Sequence, residues 1–128
     1  MTNVTLLSKS AQSVQDALSK HGLTSRVIEF SDSARTAQEA AQILVCSVAQ
    51  IVKSLIFCTK ESRTPLLILV SGINRVNEKV IEDYIGEKIE KARPDFVREV
   101  TGFAIGRIPP VGHKQAIKTL IDEDLLAL

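Results

Sequence analysis

The sequence is poor in cysteine, has no marked excess of charge of either sign and contains no long apolar run. Each shortage closes a class of function. Two cysteines, Cys46 and Cys58, stand in 128 residues without CxxC or metal-ligand spacing, so they read as small buried hydrophobes, not a disulfide framework. His21 and His113 lie far apart and no HExxH occurs, so no metal and no cofactor are expected. Sixteen Lys and Arg against 15 Asp and Glu leave a net charge of +1. A nucleic-acid partner would therefore be touched locally, not wrapped. No stretch reaches the run of about 18 apolar residues that a membrane span needs. The start "MTNVTLLSKSAQ" lacks the basic, apolar and small-residue regions of a signal peptide, so a cytoplasmic protein with no membrane partner is expected. Neither GxGxxG nor a P-loop pattern occurs, which leaves a small nucleotide-binding protein little support.

What is present suits one globular unit. Hydrophobic residues make up 45% and charged residues 24%, with no repeat, low-complexity tract or linker to divide 1–128, so a single domain is expected. "SAQSVQDALSKHG" places Ala11, Val14, Ala17 and Leu18 on one helical stripe, with Gly22 placed to stop it. "SRVIEF" alternates as a short strand would. Thr36 and Glu39 offer a capping box for a helix with Ala37, Ala40, Ala41 and Leu44 inward. "AQIVKSLIFCTK" and "LLILVS" are rich in β-branched residues and read as adjacent strands around a turn at 62–65. A helix capped by Asn77 and ended by Gly86 presents Val80, Ile81, Tyr84 and Ile85 inward. Another begins at Pro94 and runs through Phe96, Val97 and Val100 to Gly102. "GFAIG" and "AIKTLI" resemble two further strands. The strand pair within 51–71 is joined too tightly for a parallel crossover, so the fold class is α+β with a mixed sheet.

Two features invite a chemical reading. In an extended "IVKSLIF", Lys53 shares a face with Ile51, Leu55 and Phe57, an apolar row. A lysine there can lay its stem on apolar neighbours and lift its ammonium into water, or it can serve a site. The second feature is "TGFAIGRIPPVGHK", three glycines and two prolines within 101–114. Such a segment is either a tight turn or a rigid loop that brings backbone N–H groups to a ligand.

The blocks "ARTAQEAAQILVCSVAQIVKSLIF", "LLILVSGINRVN" and "TGFAIGRIPPVGH" resemble, in order and spacing, the YbaK/ProRS-associated editing-domain family, from about Ala34 to Asp124. That resemblance implies a mixed, mostly antiparallel and partly barrel-like sheet flanked by helices. It implies a metal-free aminoacyl-tRNA deacylase that hydrolyses the ester of mischarged tRNA, most often alanine or cysteine on tRNA(Pro). The partner would be the 3′ aminoacyl-adenosine end of the tRNA, with prolyl-tRNA synthetase as a further partner. The family's catalytic lysine falls on Lys53 through "QIVKSL", and its GxxxP loop falls on Gly106 through Pro110. Substrate-binding positions carried over are Ser71, Gly72, Gly102, Gly106, Pro110 and His113. Ser71 and Gly72 read equally as a strand end, and His113 as a support for the loop. Arg75, Lys79, Arg107 and Lys114 could meet tRNA phosphates. The family usually continues beyond the position of Leu128 with strand and helix that close the pocket. The rival reading is a silent relative that binds tRNA or regulates without cleaving.

Overall fold

A computed structural model describes residues 6–29 and 36–128. Helix α1 spans Lys9–Lys20, α2 Ala37–Leu44, and a 3-10 turn Val48–Gln50 leads into strand β1, Val52–Thr59. Strand β2 is Pro65–Ser71, α3 Glu78–Ile85, β3 Ile89–Lys91, α4 Pro94–Thr101, β4 Lys118–Ile121 and α5 Glu123–Leu126. The four strands form one open sheet in the order β3-β1-β2-β4. β1 pairs antiparallel with β2 and β3, while β2 and β4 run parallel. The α+β class and mixed sheet are thus as expected, but among the described residues the sheet does not close into a barrel.

The two apolar strands take the centre because both their faces are covered. Phe57 and its partner Leu66 pack with Ile68 and Ile89 against Ile81 and Ile85 of α3. Their neighbours Ile56 and Leu67 point the other way, onto Val97 of α4 and Ala92, with Phe96 and Ile108 alongside. Leu67 and Val97 have no exposed surface, and each such side chain stabilises the fold by roughly 1.5–3 kcal/mol. The edge strands are short and carry Glu90, Lys91 and Lys118, which discourages further pairing.

Local signals account for the helix ends. Ser8, Thr36 and Asn77 each accept a backbone N–H at the start of α1, α2 and α3, caps worth about 1 kcal/mol apiece. Gly22, Gly86 and Gly102 adopt the left-handed conformation just after α1, α3 and α4.

Five expectations need correction. Leu44, expected on the inward face of α2, is exposed, and Ala41 is the buried residue of that helix. Residues 25–29 form no strand, because Ser25 O and Val27 N are taken by the Gln15 side chain of α1; Phe30 lies outside the described residues, as does Ala34. "GFAIG" is a turn, with Phe103 N donating to Thr101 Oγ1 and Arg107 N to Ala104 O. Val80 and Tyr84 of α3 are exposed, while Ile81 and Ile85 pack onto the buried face of the sheet. Cys46 is only half-buried, whereas Cys58 is enclosed, and burial pushes its thiol pKa up.

Candidate active site

Lys53 owes its place to the register of the central strands. It pairs with Val70, and alternation sets it on the face of Phe57 and Ile68. Its half-buried side chain runs to the turn after β2, where Nζ donates to Asn74 O at 2.6 Å. Among the described residues the other two N–H groups of the ammonium have no protein partner and no carboxylate forms an ion pair with it.

The turn that supplies this acceptor is fixed from both sides. Asn74 N donates to Ser71 O at 2.9 Å. Asn74 Nδ2 donates to Asp122 Oδ2 at 2.8 Å and Asp124 Oδ2 at 2.7 Å. Asp122 Oδ2 also accepts Ser71 N at 3.1 Å, and Asp122 Oδ1 accepts Asp124 N at 2.9 Å. The Asn74 amide, followed by the N–H groups of Asp124 and Ser71, holds the Asp122 carboxyl below its ordinary pKa.

Ser71 and Gly72 close the other side of the same turn. Ser71 is 1% exposed and its hydroxyl donates to Ala49 O at 2.8 Å. The hydroxyl proton is therefore spent within the scaffold. Gly72 N donates to Ile51 O at 2.8 Å, and its Cα lies tight against Val48 and Ala37, where a Cβ would find backbone at 2.5 Å. These contacts fix the chain just before Lys53.

The glycine-proline segment is a folded loop. Gly102, Gly106 and Gly112 all have positive φ. His113 Nε2 lies 2.6 Å from Pro109 O, so the imidazole ties the loop to itself. Pro110 is exposed at the tip. A Cβ on Gly106 would meet open space. Among the described residues the N–H groups of Ile105 and Gly106 have no partner.

Two cavities flank this framework. One of about 1000 Å³ lies between the loop, α1 and α4, with Val52, Arg98, Gly102, Arg107 and Pro109 among its walls. The other, about 440 Å³, is floored by Ile68, Val70 and Ile81 and rimmed by Asn74 and Asp122. Val52 faces the first and Lys53, the next residue along β1, turns toward the side of the second. The structure thus gathers Lys53, Ser71 and Gly72 around one turn, and Gly102, Gly106, Pro110 and His113 into one loop; Lys53 faces away from that loop, whereas Ser71, paired with Val52, lies on the loop's face of the sheet.

Sequence reasoning passed over Asn74, Asp122 and Arg98. Nothing local marks Asn74 or Asp122, which are 48 residues apart and meet only through the parallel β2–β4 pairing. Arg98 lies on the outward side of α4 and reaches the larger cavity beside Arg107, while Lys79 is engaged with Asp83. Among the described residues no group of three His, Cys, Asp or Glu side chains could hold a metal, and no helix is long and apolar enough to cross a membrane.

The family model of the aminoacyl-tRNA editing domain matches residues 31–128. The chain belongs to this family. Among similar solved structures is one described as a candidate trans-editing enzyme for prolyl tRNA synthetase, 45% identical, with a TM-score of 0.90, covering 96% of this chain and 78% of that one. Proline--tRNA ligase of Limosilactobacillus fermentum is 32% identical over 96 residues, which are 72% of this chain but 17% of the ligase. The uncharacterized protein YwhH of Bacillus subtilis is 29% identical over 116 residues, 91% of this chain and 73% of that protein. The editing domain here thus corresponds to a small part of the ligase's length.

Proposed function

We propose that the chain is a metal-independent aminoacyl-tRNA deacylase acting in trans on mischarged tRNA, with Ala- or Cys-tRNA(Pro) as substrate and prolyl-tRNA synthetase as functional partner. The observation that carries the reading is the Lys53 ammonium, held by one N–H on Asn74 O and, among the described residues, without a partner for the other two, in a chain of the editing family. A compact cation in that state attracts a phosphate or the ester carbonyl of the terminal adenosine. Attack on the ester creates an oxyanion, which unspent N–H donors stabilise when they are fixed in advance. The N–H groups of Ile105 and Gly106 are such donors on the glycine loop. The ribose hydroxyl next to the ester orients the attacking water and relays its proton to the departing ribose oxygen as the acyl–oxygen bond breaks, so no protein base is invoked. Ser71 supports this site from within the scaffold; Gly72, Gly102, Gly106, Pro110 and His113 shape its backbone. Arg98 and Arg107 are placed to meet the phosphates of the acceptor end.

The placement of Lys53 and the glycine loop on opposite faces of β1 favours a second reading, a silent module that holds aminoacyl-tRNA without cleaving it. Incubation with a panel of mischarged tRNAs, following release of each amino acid, separates the two. Release of alanine or cysteine from tRNA(Pro) supports the deacylase. Tight binding without release from any member of the panel supports the module. Activity that survives EDTA supports the metal-free reaction; loss on chelation with recovery on adding zinc overturns it.

A further inference from the structure

We propose that Asn74 is a positioning residue that aims the Lys53 ammonium and keeps the carboxylates of Asp122 and Asp124 away from it. The proposal rests on the deacylase reading for its consequence in catalysis, though not for the geometry. Three observations support it. The acceptor of Lys53 Nζ is a neutral carbonyl, Asn74 O at 2.6 Å, so the hydrogen bond orients the cation without cancelling its charge. The carboxylates joined to the same turn, Asp122 and Asp124, both accept the Asn74 side-chain amide, at 2.8 and 2.7 Å. The turn carrying that carbonyl is held at its other end by Ser71 N on the same Asp122 oxygen and by the Ser71 hydroxyl on Ala49 O.

The arrangement solves a specific problem. Lysine has a long flexible stem, and a charge that wanders cannot serve as a preorganised electrostatic group. A carboxylate partner would hold it but neutralise it. A backbone carbonyl leaves the charge available, provided the carbonyl itself cannot turn. The amide clamp onto Asp122 and Asp124 prevents the turning. The link joins the end of β2 to the start of α5, so it is a tertiary device absent from any short stretch of sequence.

The test follows the Lys53 ammonium directly and then catalysis. In proton–nitrogen spectra of the lysine ammonium groups, assigned by its loss in Lys53→Arg, the Lys53 signal should stand apart from the solvent-exposed lysines. It should merge with them in Asn74→Ala and in Asp122→Asn. With mischarged tRNA, Asn74→Ala should lower kcat about tenfold with little change in KM, as misplacement of a catalytic group does. Combined with Lys53→Ala, it should cost nothing beyond Lys53→Ala alone. Asp124→Ala removes one clamp bond at an exposed position and should give a smaller loss in the same direction, so the proposal stays testable if Asn74→Ala folds poorly. An unchanged Lys53 signal in the folded variants, or losses that multiply fully in the double variant, would overturn the positioning role. If the parent releases no amino acid from any tRNA, the deacylase reading falls, and the ammonium spectra alone decide whether Asn74 holds Lys53.

Discussion

The carbonyl oxygen of Val48 would stand 2.5 Å from a Cβ placed on Gly72, closer than any real Cβ contact. Gly72 therefore lets β2 end against the 3-10 turn that precedes β1, and this contact fixes the chain from which Lys53 projects. Because the obstruction is backbone, it cannot swing aside as a side chain would. Gly72→Ala is expected to destabilise the protein by about 1–3 kcal/mol, the usual penalty of overpacking. Thermal unfolding of the variant beside the parent measures it. An unchanged midpoint would mean that the turn shifts freely and does not hold the lysine's strand.

Lys53→Ala is expected to keep the fold and to lower deacylation by a factor of about a hundred, as removal of a preorganised charge does. The side chain is half-buried at the end of a central strand, and among the described residues its only protein bond is to Asn74 O. Circular dichroism and single-turnover release of the amino acid separate folding from chemistry. Deacylation at the parent rate would remove Lys53 from the mechanism.

Much of this site was legible in the sequence, and the part that was not has a physical cause. Alternation along "IVKSLIF" put Lys53 on an apolar face, and the pairing with Val70 agrees. Caps and glycines located α1, α3 and α4 because those signals are local. The strand β3 was missed because Ile89–Lys91 is short and charged, and exists only as an edge on β1. Residues 25–29 alternate like a strand yet spend backbone groups on Gln15, a partner that alternation cannot reveal. "GFAIG" has the composition of a strand end, but positive φ at Gly102 and Gly106 bends it into a loop. Asn74 and Asp122 carry no motif and become neighbours only when β4 docks beside β2.

Acid should loosen the turn that holds Lys53. The folded pKa of Asp122 lies below its unfolded value, chiefly through the Asn74 amide. Its stabilising contribution is therefore complete above the unfolded pKa, at about 4, and is lost as pH falls through the lower folded pKa. Glu87, which accepts Ser62 and Glu61 at the β1–β2 turn, and Glu82, which accepts Ile89 N, are lowered too and act in the same direction. The expected outcome is an unfolding midpoint that is steady from neutral pH down to about 5 and then declines. Asp122→Asn should be less stable than the parent at neutral pH, with the gap narrowing in acid. A gap that is constant across the range would show that the carboxylate charge does not matter to the turn.

Gly106 separates loop shape from loop chemistry. Its φ is +79° and a Cβ there would meet no neighbour within 4 Å, so a substitution is resisted by backbone conformation and not by crowding. Asparagine visits the left-handed region more readily than other residues with a side chain, whereas β-branched valine is strongly disfavoured there. Gly106→Val is therefore expected to cost about 1–3 kcal/mol of stability, and Gly106→Asn distinctly less. If the loop only turns the chain, Gly106→Asn should deacylate like the parent, and Gly106→Val should lose activity only as far as it unfolds. If the unspent N–H groups of Ile105 and Gly106 face the ester, any side chain at 106 stands in the substrate's path. Gly106→Asn should then unfold near the parent temperature yet lose at least about tenfold in kcat, the scale of a displaced oxyanion donor. Unfolding midpoints and single-turnover rates on the same two variants decide between these outcomes, and a fully active, folded Gly106→Asn removes the loop from the chemistry.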